Sequence, residues 1–364
     1  MKAFGIASDT KARESWLGGA LAAGVVAFAT YLLPGTGLDQ ALAQDIAYFR
    51  IGAGAPGSTL YDLAGQIASA ISNPPGSRQC DNDGPCGVEG VIGLAQTATD
   101  PVSALQSVDG GLVESAIVSA DVADAAVQGT GAFKKSGPMT ELRSIGNVGQ
   151  LVLHVLVAKE ARFQDLSALN GKRIAIGVED SDNAVTARFL LRAAGINEKK
   201  TKLVTGNPET AALDLLGDKV DALVLVAQLP NEDVATLMRT GNYKLLSAKP
   251  SDDNKSDYVV ADWIKHKQYS GTDVIPTLSV PAVWVVRSSL SDELADGLAK
   301  ALLRAARSDD KIHLNLDRMT VPIHPGAEAA LAELGKAQEV QAPAPEPQPN
   351  ATNYPFLTVS IRIT

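Results

Sequence analysis

The sequence predicts an α/β fold built on a parallel sheet. Short apolar runs alternate along the chain with stretches whose apolar residues recur at helical spacing. Glycines and capping residues punctuate the junctions between them. Aromatic residues are only 5% and glycines number 32, which suits close helix–sheet packing more than a β-sandwich. Apolar residues make up 45% of 364, enough for a sizeable core, and the length is sufficient for two domains.

The first junction is the clearest. Tyr48–Ile51 reads as a strand, Gly52-Ala53-Gly54-Ala55-Pro56-Gly57-Ser58 as a glycine-rich loop, and Thr59–Ile71 as a helix. Leu60, Leu63, Ala64, Ile67 and Ile71 form that helix's apolar stripe. Thr59 is expected to cap it, with Asp62 as the returning carboxylate. Such a loop aims unpaired N–H groups and the positive helix end at one point, which favours an anion. A Pro/Gly turn at Ser72–Gln79 and a strand at Val88–Leu94 follow. Asp100 caps the next helix with Pro101 at its first position, and Gly110-Gly111 ends it. Leu112–Val118 is then a strand, and Ser119-Ala120-Asp121 opens another helix. In a parallel sheet the loops at the strand C-termini converge on one edge, where ligands bind.

Leu142–Asn147 reads as a further strand and Leu151–Ala158 as an apolar run passing between domains. A second α/β unit has strands at Lys172–Val178, Lys202–Thr205 and Asp221–Val226. Its helices are Ala184–Ala194, stopped by Gly195, and Pro208–Leu216, capped by Asn207. Glu179–Asn183 and Ala227–Asn231 are its loops. Val280–Arg287 reads as a return crossing, and Asp292–Arg307 as an amphipathic helix packed on the first domain. Ala342–Pro349 is a Pro-rich linker, and Phe356–Thr364 alternates like a short strand.

The N-terminus points to export. Lys11 and Arg13 precede an apolar run from Trp16 to Leu33, then Pro34-Gly35 and the cleavage-like Ala41-Leu42-Ala43. A signal peptide over residues 1–43 is the expectation, with an uncleaved anchor as the alternative. Cys80 and Cys86, spaced around a Gly-Pro turn, are expected to form a small-loop disulfide in an exported chain. A metal site is the alternative, but no histidine or further cysteine lies nearby in sequence. The net charge of −9, without a basic aromatic-interleaved stripe, argues against nucleic acid as a partner.

Gly52-x-Gly54-x-x-Gly57 matches the dinucleotide fingerprint in letters and context. The acidic residue expected about twenty positions on is missing from Ile71–Gln79, and an exported protein rarely meets free nicotinamide, so no cofactor is expected. Nucleophile-elbow, phosphate-loop and zinc-helix motifs are absent. His154, inside an apolar strand, is expected to be structural, and His324 a turn residue. Catalysis is disfavoured.

A series of segments resembles the TAXI solute-binding proteins, receptors of one class of TRAP transporters. They are Asn73-Pro74-Pro75-Gly76-Ser77-Arg78 leading to Cys80 and Cys86, Val91–Gln96, Val118–Ala123, Leu153-His154-Val155, Leu169–Arg173, Val185–Arg188, Val280-Pro281-Ala282 and His324-Pro325-Gly326. The resemblance implies a two-lobed type II periplasmic binding protein fold, its cleft between lobes joined by two crossing strands. Lobe I would comprise 46–148 and 281–336, lobe II 149–280, and a Pro-rich tail 337–364. The implied function is periplasmic capture of a small organic acid, either a dicarboxylate or an amino acid such as glutamate. The implied partner is the membrane part of a TRAP-type transporter, with the receptor a monomer. A sensor of the same fold signalling to a membrane kinase, or an exported enzyme, are the alternatives.

By the same resemblance, the ligand wall in lobe I would come from Gly54, Gly57, Ser58, Thr59, Tyr61, Gln96, Thr97, Thr99, Ser119 and Asp121. Lobe II would add Ser181, Asn183 and Gln228. Helix capping is the plain role for several of these. The chain also departs from the family at Gly149-Gln150-Leu151, at Ser119-Ala120 and at Glu179-Asp180-Ser181-Asp182-Asn183. Carboxylates in the last segment would repel an acid unless they face solvent or meet an ammonium group. At an effective dielectric near 20 a like-charged pair at ~4 Å costs about 4 kcal/mol, well above the ~1.4 kcal/mol of a tenfold affinity change.

Overall fold

The first strand, β1 (Ala47–Ala53), runs into the glycine-rich loop and α1 (Thr59–Ile71). The short pair β2 (Ser72–Asn73) and β3 (Val88–Glu89), then β4 (Val91–Thr97), α2 (Pro101–Asp109), β5 (Ser115–Ser119) and α3 (Ala120–Gln128), complete the first unit. The long β6 (Leu142–Ala158) leads to β7 (Arg173–Ala175), α4 (Asp182–Ala193), β8 (Lys202–Val204), α5 (Pro208–Leu216) and β9 (Ala222–Ala227). Then come α6 (Glu232–Arg239), β10 (Tyr243–Leu245), β11 (Val260–Ile264), the returning β12 (Ile275–Arg287) and α7 (Asp292–Ser308). This computed structural model describes residues 46–77, 86–254, 256–308 and 312–332. The expected leader at 1–43, Cys80 of the expected disulfide and the 337–364 tail lie outside the described residues.

The main sheet has the order β4-β1-β5-β12-β6-β9-β7-β8, with β10 on β6 and β11 on β12. It is two sheets sharing two long strands. β4, β1 and β5 pair in parallel with the first half of β6 beyond them, while β8, β7 and β9 pair in parallel beside its second half. The result is the two-lobed α/β fold. The sheet is not wholly parallel, however. β12 returns beside the outgoing β6 and so runs antiparallel to it, and to β5 as well. A strand coming back from the second lobe has no other direction available.

The two lobes repeat one motif. In each, a first strand enters a turn, a serine-capped helix follows, and the parallel order is second, first, third strand. Each first strand also carries an arginine forked onto an acid just before the third strand. Arg50 Nη2 lies 2.6 Å from Glu114 Oε1, and Arg173 Nε lies 3.0 Å from Asp221 Oδ2. The same carboxylates accept the backbone N–H of Arg50 and Arg173, at 2.8 Å each.

Several sequence expectations merge or shift. Leu142–Asn147 and Leu151–Ala158 are one strand of 17 residues. The polar residues that interrupt it in sequence are paired in space: Asn147 Nδ2 donates to Asp317 O at 2.6 Å, and Gln150 Nε2 to Ser279 Oγ at 2.9 Å. The return strand begins earlier than expected, at Ile275. The second unit's last segments, α6, β10 and β11, have no clear sequence signal; α6 buries only Val234 and Met238.

The helix α1 was legible because its buried face is long: Leu60, Leu63, Ala64, Ile67, Ala68 and Ile71. Fully burying a Leu or Ile contributes about 1.5–3 kcal/mol. The helix lies so close to β4 that a β-carbon on Gly93 would meet Ala68 O at 2.4 Å. Trp284 of β12 and Phe49 of β1 meet edge to face at 6.2 Å in the same core. Gly93→Ala therefore forces α1 off the sheet and should destabilise the protein by about 1–3 kcal/mol, read as a lower urea midpoint with an unchanged m-value.

Candidate functional site

The start of α1 and the start of α4 are built alike. Ser58 has extended backbone (φ −80°, ψ 151°), and its hydroxyl accepts the Tyr61 N–H at 3.3 Å. Ser58, not Thr59, is thus the cap, and Thr59 is the first helical residue. In α4, Ser181 (φ −65°, ψ 158°) accepts the Ala184 N–H at 3.2 Å and donates to Val178 O at 2.7 Å. Asp182 and Asn183, read from sequence as loop, are therefore the first turn of α4. The first N–H groups of each helix have no intrahelical partner.

A cleft of about 330 Å³ lies between these two helix starts. That falls at the lower end of the roughly 300–1,000 Å³ of small-molecule sites. Lobe I contributes Gly54–Leu60 and Thr99. Lobe II contributes Gly177–Glu179, Ser181–Asn183, Thr186, Asn231 and Asp233. Leu151, Leu223, Leu225, Val226 and Ala227 supply apolar lining. No arginine, lysine or histidine is among the lining residues.

The electrostatics centre on Asp182. Its carboxylate reaches over to the glycine loop: a β-carbon on Gly54 would stand 1.7 Å from Asp182 Oδ2 and 2.7 Å from Ser58 Oγ. Burial, then the charges of Asp100 and Asp121, push Asp182 from 3.8 up to about 7. Asp121 is raised to about 6 by burial, against the lowering hydrogen bond of Ser119 and the more distant Arg192. Its Oδ1 is buried without a hydrogen-bond partner. Thr186 Oγ1 and Ser119 Oγ close the seam between the lobes at 2.9 Å. Glu179 turns outward, 60% exposed, and pairs with Arg188 at 3.2 Å.

The candidate residues divide accordingly. Gly54, Gly57, Ser58, Thr59, Thr99, Ser181 and Asn183 line the cleft. Within that group the Asn183 side chain is consumed by the fold: Nδ2 donates to Ile176 O (2.9 Å) and Val224 O (3.2 Å), and Oδ1 accepts from Val226 N (2.7 Å). Ser119 and Asp121 are buried at the seam rather than on the wall. Tyr61 faces a separate shallow depression with Asp62, Gly65, Gln66 and Ser69. Gln96 and Thr97 are exposed outside the lining, and Gln228 packs on Gly149 of β6, where a β-carbon would meet its Nε2 at 2.6 Å. Sequence reading missed Thr186, which lies four residues after Asp182 and so shares its helix face. It also missed Asn231 and Asp233, which sit at a helix start with no pattern of their own.

His154 is structural, as expected. Nδ1 donates to Val152 O at 3.0 Å, leaving Nε2 to accept from Tyr269 Oη at 2.9 Å. That oxygen in turn accepts the Asn231 N–H at 2.9 Å. Burial lowers the imidazole to about 4, which keeps it neutral. The chain of bonds ties the crossing strand to a loop of the cleft. His324 is buried, its Nδ1 accepting Gly326 N–H in the turn before a helical stretch at 325–332.

Two α/β lobes around one cleft, joined by paired crossing strands, form the architecture of type II periplasmic binding proteins. The chain belongs to the NMT1-like family, whose profile matches residues 51–335. Among solved structures it is similar to a TctC solute-binding protein from Polaromonas, at 14% identity and a TM-score of 0.45, over 79% of this chain and 94% of that one. A Xanthomonas citri protein bound to ATP matches at 12% identity and 0.45, over 80% and 97%. An amino acid ABC transporter substrate-binding protein from Streptococcus pneumoniae, bound to L-arginine, matches at 13% and 0.41, over 78% and 96%. At these scores the fold assignment rests on strand order, and the family on the sequence match.

Two outcomes follow from Asp182 and Gly54. An acid held at about 7 in the fold and near 3.8 when unfolded lowers stability as pH rises between those values. Asp182→Asn removes that loss, so it should melt higher than wild type. The gap should be widest above pH 7 and vanish below about pH 4, at about 2–4 °C per kcal/mol of relief. Gly54→Ala places a methyl group where the Asp182 carboxylate sits, so the lobes should close less completely. Small-angle scattering should show a larger radius of gyration in the variant.

Proposed function

We propose that this protein is an extracytoplasmic solute receptor that captures a small organic acid between its lobes and delivers it to a TRAP-type transporter, as a TAXI-like member of its family. The observation that carries the reading is the cleft lined from both lobes by two serine-capped helix starts. Their free N–H groups can hold a carboxylate. The paired strands β6 and β12 cross between the lobes and can act as the hinge. Lobe I would be 46–148 with 281–336, and lobe II 149–280, which places both boundaries inside the crossing strands. The structural role of His154 supports binding without turnover.

Native mass spectrometry of the exported protein, before and after denaturation, tests this. One small solute per chain should be released unaltered, and calorimetry should return it to the emptied protein with 1:1 stoichiometry. A solute recovered chemically changed after incubation would overturn the receptor reading in favour of an enzyme.

A further inference from the structure

Resting on that receptor reading, we propose that Asn231 is the lobe II residue that reads an oxygen acceptor on the bound solute, and that Tyr269, backed by His154, positions it. The contact is an uncharged hydrogen bond from the Asn231 side-chain amide to a carboxylate, carbonyl or hydroxyl oxygen.

The donors on the lobe II wall are the first ground. Carboxyl groups aside, the lining side chains there that carry an N–H or O–H are Ser181, Asn183, Thr186 and Asn231. All but the last are spent inside the protein. Ser181 donates to Val178 O at 2.7 Å, Asn183 Nδ2 to Ile176 O and Val224 O, and Thr186 Oγ1 to Ser119 Oγ at 2.9 Å. Asn231 is different. Its Oδ1 accepts the Val234 N–H at 3.0 Å and caps α6, while Nδ2 makes no hydrogen bond among the described residues. With Oδ1 committed to the cap, the amide offers the cleft only its two N–H donors. No arginine, lysine or histidine lines the cleft, so this neutral donor is what lobe II has to answer a solute oxygen.

Placement is the second ground. Asn231 is fixed through its backbone by groups that do not themselves line the cleft. Its N–H donates to Tyr269 Oη at 2.9 Å, and that hydroxyl donates to His154 Nε2 at 2.9 Å. The other imidazole nitrogen donates to Val152 O of β6 at 3.0 Å. The two rings are buried and meet edge to face, their centroids 5.7 Å apart. Tyr269 is held in turn by Thr272, whose Oγ1 donates to Tyr269 O at 2.8 Å. Both lie between β11 and β12, so the support comes from one crossing strand and from the chain leading into the other.

A helix cap by itself needs no such support. The backbone N–H groups of the Ser58 and Ser181 caps bond within their own turns, to Ala55 O at 2.9 Å and Val178 O at 3.2 Å. That of Asn231 reaches a buried tyrosine 38 residues further along the chain. With cap and backbone both fixed, the free amide is pre-organised, which lowers the cost of ordering it around a solute.

Calorimetric titration of the exported protein with L-glutamate, 2-oxoglutarate, glutarate and succinate tests the assignment. At least one of these acids should bind. Asn231→Ser should weaken that acid at least tenfold. Its melting point should stay within about 2 °C of wild type, because serine caps a helix as well as asparagine does but lacks the amide. Tyr269→Phe should weaken the same acid at least threefold alone and have no further effect in the Asn231→Ser background. It should also speed amide exchange at Asn231 at least tenfold. Full affinity in Asn231→Ser, or a loss matched by a lower melting point, would overturn the reading role. Additive losses in the double variant, or unchanged exchange at Asn231, would overturn the positioning role. An acid bound equally by wild type and Asn231→Ser leaves the receptor reading intact. If none of these acids binds, the assignment fails, and the receptor reading fails with it only if native mass spectrometry also releases no solute.

Discussion

The antiparallel pairing of β6 with β12 is the constraint on which the rest of the molecule depends. These strands run side by side from Leu142 to Val152 and from Ser279 to Arg287. One side of the pair receives the parallel strands of the first lobe, and the other end receives those of the second. Every lobe therefore hangs on the same two backbones. Their polar interruptions are part of that arrangement. Gln150 and Ser279 hydrogen-bond across the pair, and Asn147 is held by the segment near Asn315 and Asp317. The bulges beside Ala282 and Trp284 let the register shift without losing the pairing.

Around this pair the chain folds the same motif twice, and the cleft is a consequence of the repetition. Each unit ends its first strand in a turn and starts a serine-capped helix, so two helix starts meet across the gap. A symmetric pair of helix N-termini would favour anions on both sides. The chain breaks that symmetry with one residue. Asp182 occupies the first position of α4, opposite the bare Gly54, and turns one positive helix end into an acidic contact. Asp121 and Asp100, at ordinary helix starts of lobe I, then act on it at a distance. The energetic result is a cleft that is under electrostatic tension when its acids are ionised.

Legibility in the sequence followed local strength. The helix at Thr59–Ile71 was readable because its apolar stripe spans more than three turns. The Asp100 cap with Pro101 was readable because capping chemistry acts over three or four residues, and Ser103 completes it as a capping box. The Ser58 cap was misplaced by one position, since Ser-Thr offers two candidate hydroxyls and only backbone conformation chooses between them. The start of α4 was placed late for a related reason: Asp182 and Asn183 favour loops, and their helical state rests on Ser181 and on the bonds Asn183 makes to β7 and β9. Of the candidate wall, the glycine loop and Thr99 do face the cleft, whereas Tyr61 points away along the outer side of α1.

The sequence by itself determined the α/β alternation, the glycine-rich turn, the cap of α2, and the fact that acids cluster at 179–182. These depend on propensity and pattern within a few residues, where local free energies decide. The tertiary structure decided which of those acids matters. It turned Glu179 outward to Arg188 and brought Asp182 onto Gly54, some 128 positions earlier in the chain. It also joined two apparent strands into one and made the sheet mixed. Those outcomes depend on which backbones come back beside each other and on which carboxylates lose their water together. Neither is encoded at short range, because both are properties of the closed pair of lobes.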